Sequence, residues 1–487
     1  MSLSSSLFSG ISGLNALGNA MTVIGDNIAN VNTVGFKGSR VTFQDVLSQS
    51  VATTAGTAQV GRGTSLADIS SSFSQGSFES TDSSTDLAIG GAGFFVVRDP
   101  NNSDNEFYTR AGEFRFDKDG NFTNPAGYIV RGWELDEVTG EDLGTITDIT
   151  LQSFTSSPSE TDTLSMIINL DADAPDNSTV LAPADPNTAL STNWNGADAD
   201  GDFLANGTFE YQTTLKAYDS LGSTHDVTAY FDMGEPLVAG GDPIWEYIVT
   251  TNPSEDNRTV GTASMAGLLA RGTLEFDNAS GQISGDIGSV TCQLNDGTNW
   301  LPALTNAEAT ANGGYFGVEP QFIGGISGTV NLDFGSRFNG SIWVNDSLAT
   351  TQFASASTTV FQSANGYGAG DLESMTVGTD GVMTGQYSNG QVLPLYRVSL
   401  ANFQNEQGLY KVGSNLYRET RLSGDPITGK PGSNGLGSIS PNSLEQSNID
   451  IATEFVKMIT TQRGFQANSK IITVTDQMLN ELMNLKR

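Results

Sequence analysis

The sequence predicts a mixed fold: a terminal α-helical coiled-coil pair plus all-β body domains nested in the middle of the chain. Three observations carry that reading. Apolar residues recur about every 3.5 positions at both ends. The interior breaks into short strand-like runs separated by Gly, Asn and Asp turn signals. Charge divides the chain in the same way, with neutral ends on an acidic interior.

From the N-terminus, Leu3, Leu7, Ile11, Leu14, Leu17, Met21, Ile24, Ile28 and Val31 cover 28 residues in eight steps, the spacing of a coiled-coil seam. Gly10, Gly13, Gly18 and Gly25 interrupt this helix. Each costs about 1 kcal/mol relative to Ala, so the segment needs a partner to be helical. The far end supplies one. Between Leu444 and Leu485, Ile451, Phe455, Met458, Phe465, Ile472, Leu479 and Leu482 keep nearly the same spacing, and Val456, Ile459, Ile471, Val474, Met478 and Leu485 form a second stripe beside them. Two stripes on one helix imply neighbours on more than one side. A terminal pair packed only on its own domain is the plainer alternative.

Residues 32–86 are poor in core residues and rich in Ser, Thr, Gly and Gln, which reads as linker and hairpin. Strands are expected at Leu87 to Val97, Glu113 to Phe116 and Tyr128 to Trp133, and again at Ser374 to Val377, Val382 to Tyr387 and Leu393 to Phe403, the two groups pairing into one discontinuous β-domain of 87–150 and 363–443. Residues 151–362 hold further short strands, among them Phe209 to Tyr218, Asp226 to Phe231, Trp245 to Thr250 and Leu268 to Phe276, and read as an inserted outer β-domain of one or two subdomains. The nested order brings both terminal helices, 1–31 and 444–487, to one end.

Composition removes many chemistries. A single Cys, Cys292, excludes an intramolecular disulfide framework, and a single His, His225, leaves no second imidazole for a His-based metal site. Cys292 reads as a small buried strand residue, with a cross-linking thiol as the alternative, and His225 as a polar residue at a strand turn. Asp198 to Asp202 and Asp117 to Gly120 suggest calcium loops but lack the flanking carboxylates such a loop needs, and read as ordinary Asx and Gly turns. Gly90 to Gly93 opens no helix, so it is not a phosphate cradle. No catalytic, cofactor or metal site is expected. Residues 1–48 hold two acids and two bases, and 443–487 five of each, so 49–442 carry all 33 excess negative charges. Such a body repels nucleic acid and anionic membrane. Met1 to Gly10 has no basic stretch, so neither a cleaved signal peptide nor membrane insertion is expected.

Three separated segments carry a resemblance. Asn27-Ile28-Ala29-Asn30-Val31-Asn32-Thr33-Val34-Gly35-Phe36-Lys37 resembles the N-terminal signature of the flagellar rod and hook axial proteins. Leu444 to Asp450, then Met458 to Arg463, Gln466-Ala467-Asn468 and Asp476-Gln477-Met478-Leu479, resemble the C-terminal signature of that family, with Gln462, Arg463, Gln466, Asn468, Asp476 and Gln477 as its polar members. Asp86 to Ile89, Gly93-Phe94-Phe95 and Tyr108-Thr109-Arg110 are similar to its β-domain. The large insert, with Tyr218 to Gly222, Gly366 to Leu372 and Leu400 to Phe403, resembles the hook branch, whereas Ser48 to Gly61 is similar to the longer linker of the distal rod subunit. The resemblance implies a non-enzymatic, extracellular subunit of a flexible hollow helical tube that transmits torque, exported by the flagellar type III apparatus. It implies as partners further copies of the chain, the distal rod, the hook cap and the hook-filament junction proteins. A secreted β-rich adhesin is the alternative from another class.

Overall fold

The computed structural model describes residues 3–53, 56–137, 139–151, 153–177, 186–236, 241–277, 285–321 and 328–485. The chain forms two compact units, Met1–Phe154 with Leu372–Arg487, and Thr155–Asp371. It leaves the first unit at Phe154 and re-enters it at Leu372, whose amide donates to the Phe154 carbonyl at 2.7 Å.

In the first unit the terminal helices α1 (Leu3–Ala29) and α2 (Ile451–Leu485) pack together beside a mostly β body. After α1, Ser39–Asp45 pairs antiparallel with Thr64–Ser71, and Gln49–Thr53 with Gly56–Val60, so much of the expected linker is a two-stranded ribbon. The main sheet runs in the order Val382–Tyr387, Val392–Val398, Ile129–Leu135, Phe94–Asp99, Asn102–Thr109, Leu416–Arg418. Strands from before and after the insert pair directly in it: Gly132 lies opposite Val398, and Phe95 opposite Leu400.

Side chains on a strand point alternately to opposite faces, and here both faces are buried. Phe95 and Val97 join Leu87, Ile89, Phe122, Val130, Ile149 and Val398 on one side. Phe94 and Val96 join Tyr108, Phe403 and Tyr417 on the other, with Phe73 set edge-on to Phe94 at 5.5 Å. Each fully buried side chain of this size contributes about 1.5–3 kcal/mol.

Two elements differ from the sequence reading. The expected strand Leu87 to Val97 is split at Gly91 (φ 120) and Gly93 (φ 126), conformations open to Gly alone, into Leu87–Gly90 and Phe94–Asp99 with different partners. The C-terminal helix starts at Ile451, not Leu444. Asp450 caps it by accepting from the Ala452 amide at 2.9 Å and the Thr453 hydroxyl at 2.9 Å, while Ser443–Glu445 is a strand paired with Phe78–Ser80.

The second unit contains an antiparallel meander of Tyr211–Tyr218, Thr224–Gly234, Ile244–Thr251, Leu268–Phe276 and Ile287–Leu294. A second sheet is built around Thr163–Asp171, which takes parallel as well as antiparallel partners. Every residue of Ile244–Thr251 is buried: Trp245, Tyr247 and Val249 reach the core between the sheets, and Ile248 packs with Leu190 and Trp194 on the other face. Cys292 lies in that core, where burial pushes its thiol up to about 12. The two suspected calcium loops are turns closed by their own backbone: Asp198 accepts from the Asp200 amide, and Asp117 from those of Asp119 and Asn121. His225 is held between Glu255, 2.8 Å from Nδ1, and Asp219, 3.4 Å from Nε2.

Asp232 and Glu246 face each other across adjacent strands, both buried. Asn177 donates to Asp232 Oδ1 at 2.9 Å, and the Leu190 amide lies 3.2 Å from each Glu246 oxygen. Burial raises the Asp232 carboxyl to about 7 and the Glu246 carboxyl to about 8. In the unfolded chain they return to about 3.9 and 4.3. The folded unit therefore binds protons that the unfolded chain has released: the stability these groups contribute is complete below about pH 4 and is lost as pH rises through the folded values. Denaturation followed by Trp fluorescence should show a loss on the order of 7 kcal/mol between about pH 5 and pH 9. Asp232→Asn with Glu246→Gln should flatten that slope; an unchanged slope would show that other groups set it.

Candidate assembly surface

Helix α1 turns a row of mostly small residues inward. Gly10, Gly13, Ala16, Ala20, Ile24 and Asn27 are buried, at steps of three and four that place them on one face. A Cβ at Gly10 would stand 3.2 Å from Ile472 Cγ1, and one at Gly13 2.8 Å from Asn468 Nδ2. Across the seam, a Cβ at Gly464 would stand 3.2 Å from Leu17 Cδ1. These glycines let α1 and α2 approach closely, a use that their helix-weakening cost alone does not reveal. Gly18 and Gly25 have nothing within 4 Å of a built Cβ.

The apolar spacing seen in the sequence lies beside this face more than on it. Among its members in α1, Ile24 is buried, Leu7, Leu14, Leu17, Met21 and Ile28 are half-buried, and Ile11 is exposed; Val31, just past the helix, is half-buried. On α2, Met458, Ile472 and Leu479 are half-buried, whereas Ile451, Phe455 and Phe465 are exposed. The second stripe is open throughout its described length: Val456, Ile459, Ile471, Val474 and Met478 are all exposed, Val456 by 62% and Met478 by 49%. The side chains of Leu3, Leu482 and Leu485 lie outside the described residues. The ribbon adds Phe43, Leu47, Leu66 and Ile69, also exposed. Ser6–Ala29 has the length and mean hydropathy to cross a membrane, but its closest-packed face is the glycine and alanine row against α2.

The N-terminal signature residues act as a joint. The Asn27 amide nitrogen donates to the Ser39 carbonyl at 2.9 Å and its oxygen accepts from the Ser39 amide at 2.9 Å; the nitrogen also reaches Glu454 at 3.3 Å. Asn30 donates back to the Asp26 carbonyl, ending α1, and accepts from the Thr33 hydroxyl. Gly35 takes φ 69 where a Cβ would meet Ala111 N at 2.5 Å, and its amide donates to the Glu445 carbonyl at 2.7 Å. Phe36 lies 5.3 Å beneath the Lys411 ammonium. Lys37, fully buried, donates to Glu445 Oε1 at 2.6 Å and to the Ser74 carbonyl at 2.9 Å.

Glu445, Arg110 and Asn448 belong to this joint and were not singled out as site residues by sequence reasoning. Asn448 accepts from the Gly38 amide and donates to the carbonyls of Ser72 and Ser74. The available signal was their place in the segments Tyr108-Thr109-Arg110 and Leu444 to Asp450 that resemble the family. The C-terminal signature behaves differently. Gln462, Arg463, Gln466, Asp476 and Gln477 are exposed on α2, and Asp476 is met by Asn480 at 3.4 Å. Asn468 alone of that set sits against α1.

Comparison with known proteins gives a consistent result along the whole chain. Family models match at residues 7–37 (flagella basal body rod protein), 88–171 (flagellar hook protein FlgE/F/G D1 domain), 169–367 (flagellar basal body protein FlaE D2 domain) and 440–485 (flagellar basal body rod FlgEFG protein C-terminal). The chain is 36% identical over 500 residues to the flagellar hook protein FlgE of Borreliella burgdorferi, covering 99% of each. It is 34% identical to that of Treponema pallidum, covering 99% of each, and 32% identical to that of Escherichia coli, covering 98% of each.

The two kinds of glycine make opposite predictions. Gly25→Ala, in open space, should stabilise the helix pair by about 1 kcal/mol through helix propensity. Gly13→Leu, which gains similar propensity, should instead destabilise it by about 1–3 kcal/mol by wedging the seam apart. Thermal melting followed by helical circular dichroism distinguishes the two, and stabilisation by both would remove the packing role of Gly13.

Proposed function

The chain belongs to the flagellar hook protein FlgE family and is a structural, non-enzymatic subunit of the hook; we propose that it polymerises through the exposed faces of its terminal helices into the hollow tube that couples rod to filament. The observation that carries this reading is the second stripe of α2. Val456, Ile459, Ile471, Val474 and Met478, with Phe455 of the first stripe beside them, remain open after α1 has taken the other face, and large apolar side chains left exposed along one helix mark a contact with another molecule.

A head-to-tail contact between identical subunits that does not close into a ring generates a helical array. In the proposed array each α2 stripe is covered by the helices and ribbon of neighbouring copies, with Leu3, Leu7, Ile11, Leu14, Leu17, Met21 and Ile28 of α1, Val31 just past it, and Ile451, Phe465, Leu479 and Leu482 of α2 contributing to the seam. The neutral ends allow copies to approach, while 49–442 carry the excess negative charge. The insert is the outer domain in this reading, and the domain boundaries are those of the nested order. Passage through the flagellar type III apparatus, and contacts with the distal rod, hook cap and junction proteins, belong to the same proposal and rest on family likeness.

Ile459→Asp or Met478→Asp puts a carboxylate on a surface already open in the single chain, so the subunit should fold and melt as the parent does. In the polymer the same charge would be buried unpaired at a cost of several kcal/mol in every copy. Purified variants should stay monomeric, and cells carrying them should lack hooks and not swim; normal hooks would remove this stripe from the interface. Repulsion between acidic bodies acts over about 8 Å at physiological salt, so assembly of the parent chain should be faster at higher salt. A rate independent of salt would place those bodies farther apart.

A further inference from the structure

Three segments far apart in sequence meet at one carboxylate. Lys37 follows α1, Arg110 follows the strand Asn102–Thr109, and Glu445 ends the strand that precedes α2; their side chains are 0%, 2% and 0% exposed. Glu445 Oε1 accepts from Lys37 Nζ at 2.6 Å and from the Gly76 amide at 2.8 Å. Its Oε2 faces Arg110 Nη1 at 3.6 Å. Arg110 donates to the Gly91 carbonyl at 2.9 Å, and its guanidinium lies 5.2 Å from the Phe94 ring centre. Burial pulls Lys37 and Arg110 below their ordinary values, and Glu445 opposes that pull on both, with Glu406 adding to it from farther away.

We propose that Glu445 is the positioning residue that holds the terminal helix pair and its ribbon in one orientation on the β body of the first unit, acting through Lys37 and Arg110. An apolar contact tolerates sliding, because burial has no direction. This joint does not. Two buried cations converge on one carboxylate, and each also has a fixed carbonyl to satisfy, so any displacement strands a charge away from water. Lys37 ties the carboxylate to the chain that has just left α1, Arg110 ties it to the main sheet, and six residues after Glu445 the helix α2 begins. The use of that orientation in presenting the α2 stripe rests on the assembly reading. The orientation itself is a property of the free subunit and is tested there.

Hydrogen exchange on the full-length monomer, read on peptides covering 34–38, 72–76 and 444–449, tests the proposal. Glu445→Gln leaves two buried cations without an anion and should raise exchange at all three about a hundredfold, with Phe94–Asp99 unchanged. Lys37→Met should do less, because Glu445 keeps Arg110. Lys37→Met with Glu445→Gln should do less than Glu445→Gln alone, because only one cation is left stranded, an order that a merely space-filling role does not produce. Parental exchange in Glu445→Gln, or a double variant equal to the sum of the singles, overturns the proposal. Should Glu445→Gln fail to accumulate as folded chain, Lys37→Met decides: faster exchange confined to the three joint peptides supports it, and exchange raised everywhere or nowhere overturns it.

Discussion

Glu445 sits without access to water between Lys37 and Arg110, and an ion taken from water costs several kcal/mol unless its remaining donors and acceptors are met. In this chain the Gly76 amide reaches Glu445, and the Ser74 and Gly91 carbonyls reach Lys37 and Arg110, only when residues 37, 74–76, 91, 110 and 445 arrive together from different parts of the fold, and Glu445 Oε2 then faces Arg110 without a hydrogen bond. The nested topology follows the same constraint. Whatever is inserted between residues 110 and 443, the chain has to return to this point before it can start α2. The antiparallel pairing of α1 and α2 is thus a consequence of where their stems are bonded, as well as of what lies between them.

Beyond the joint, the helices divide their surface between two duties. The inward face of α1 is mostly glycine and alanine, with Ile24 and Asn27 at one end, so close approach to α2 consumes little large apolar surface and leaves the bulky residues beside it partly open. On α2 the buried face holds Glu454, Thr475 and the side chain of Asn468 set against Gly13. Apart from Leu17 and Ile472, which meet glycines across the seam, many of the large apolar residues that would ordinarily stabilise a helix pair stand beside or outside it. Such a pair packs through close backbone approach and polar contacts and leaves apolar side chains open on its outer faces.

Much of this was legible in the residues, and the limits have physical reasons. Heptad spacing correctly put a helix at each end, because periodicity reports which residues share a face. It does not report which face is covered, and Ile11, Phe455 and Phe465 share a spacing with buried Ile24 while standing in solvent. Glycine was read by its conformational cost, whereas Gly10 and Gly13 act by the absence of a side chain, a property visible only once Ile472 and Asn468 lie opposite. The start of α2 was placed at Leu444 because apolar spacing runs through it; Asp450, a capping residue in plain view, was the better signal. Asp232 and Glu246 gave no sign of burial, since a lone acid on an alternating strand is normally its solvent face. Lys37 was noticed as part of a motif, but its partner Glu445 is more than four hundred residues away, and nothing local connects them.

The choice of ions for the joint makes sense against the surface that lies next to it. A well-packed apolar joint of the same volume would be as stable, or more so. But a chain that already exposes Phe455, Val456, Ile459, Phe43 and Leu66 would then have two apolar surfaces able to satisfy one another, and the helix pair could fold back with its stripe against the joint. Lys37 and Arg110 forbid that exchange, because an apolar stripe offers a buried cation neither charge nor acceptor. Glu445 alone completes the site, and it is carried on the strand that leads into α2. The ionic joint therefore selects among packings that apolar burial alone would leave nearly equal, and it leaves the apolar stripe of the single chain unoccupied.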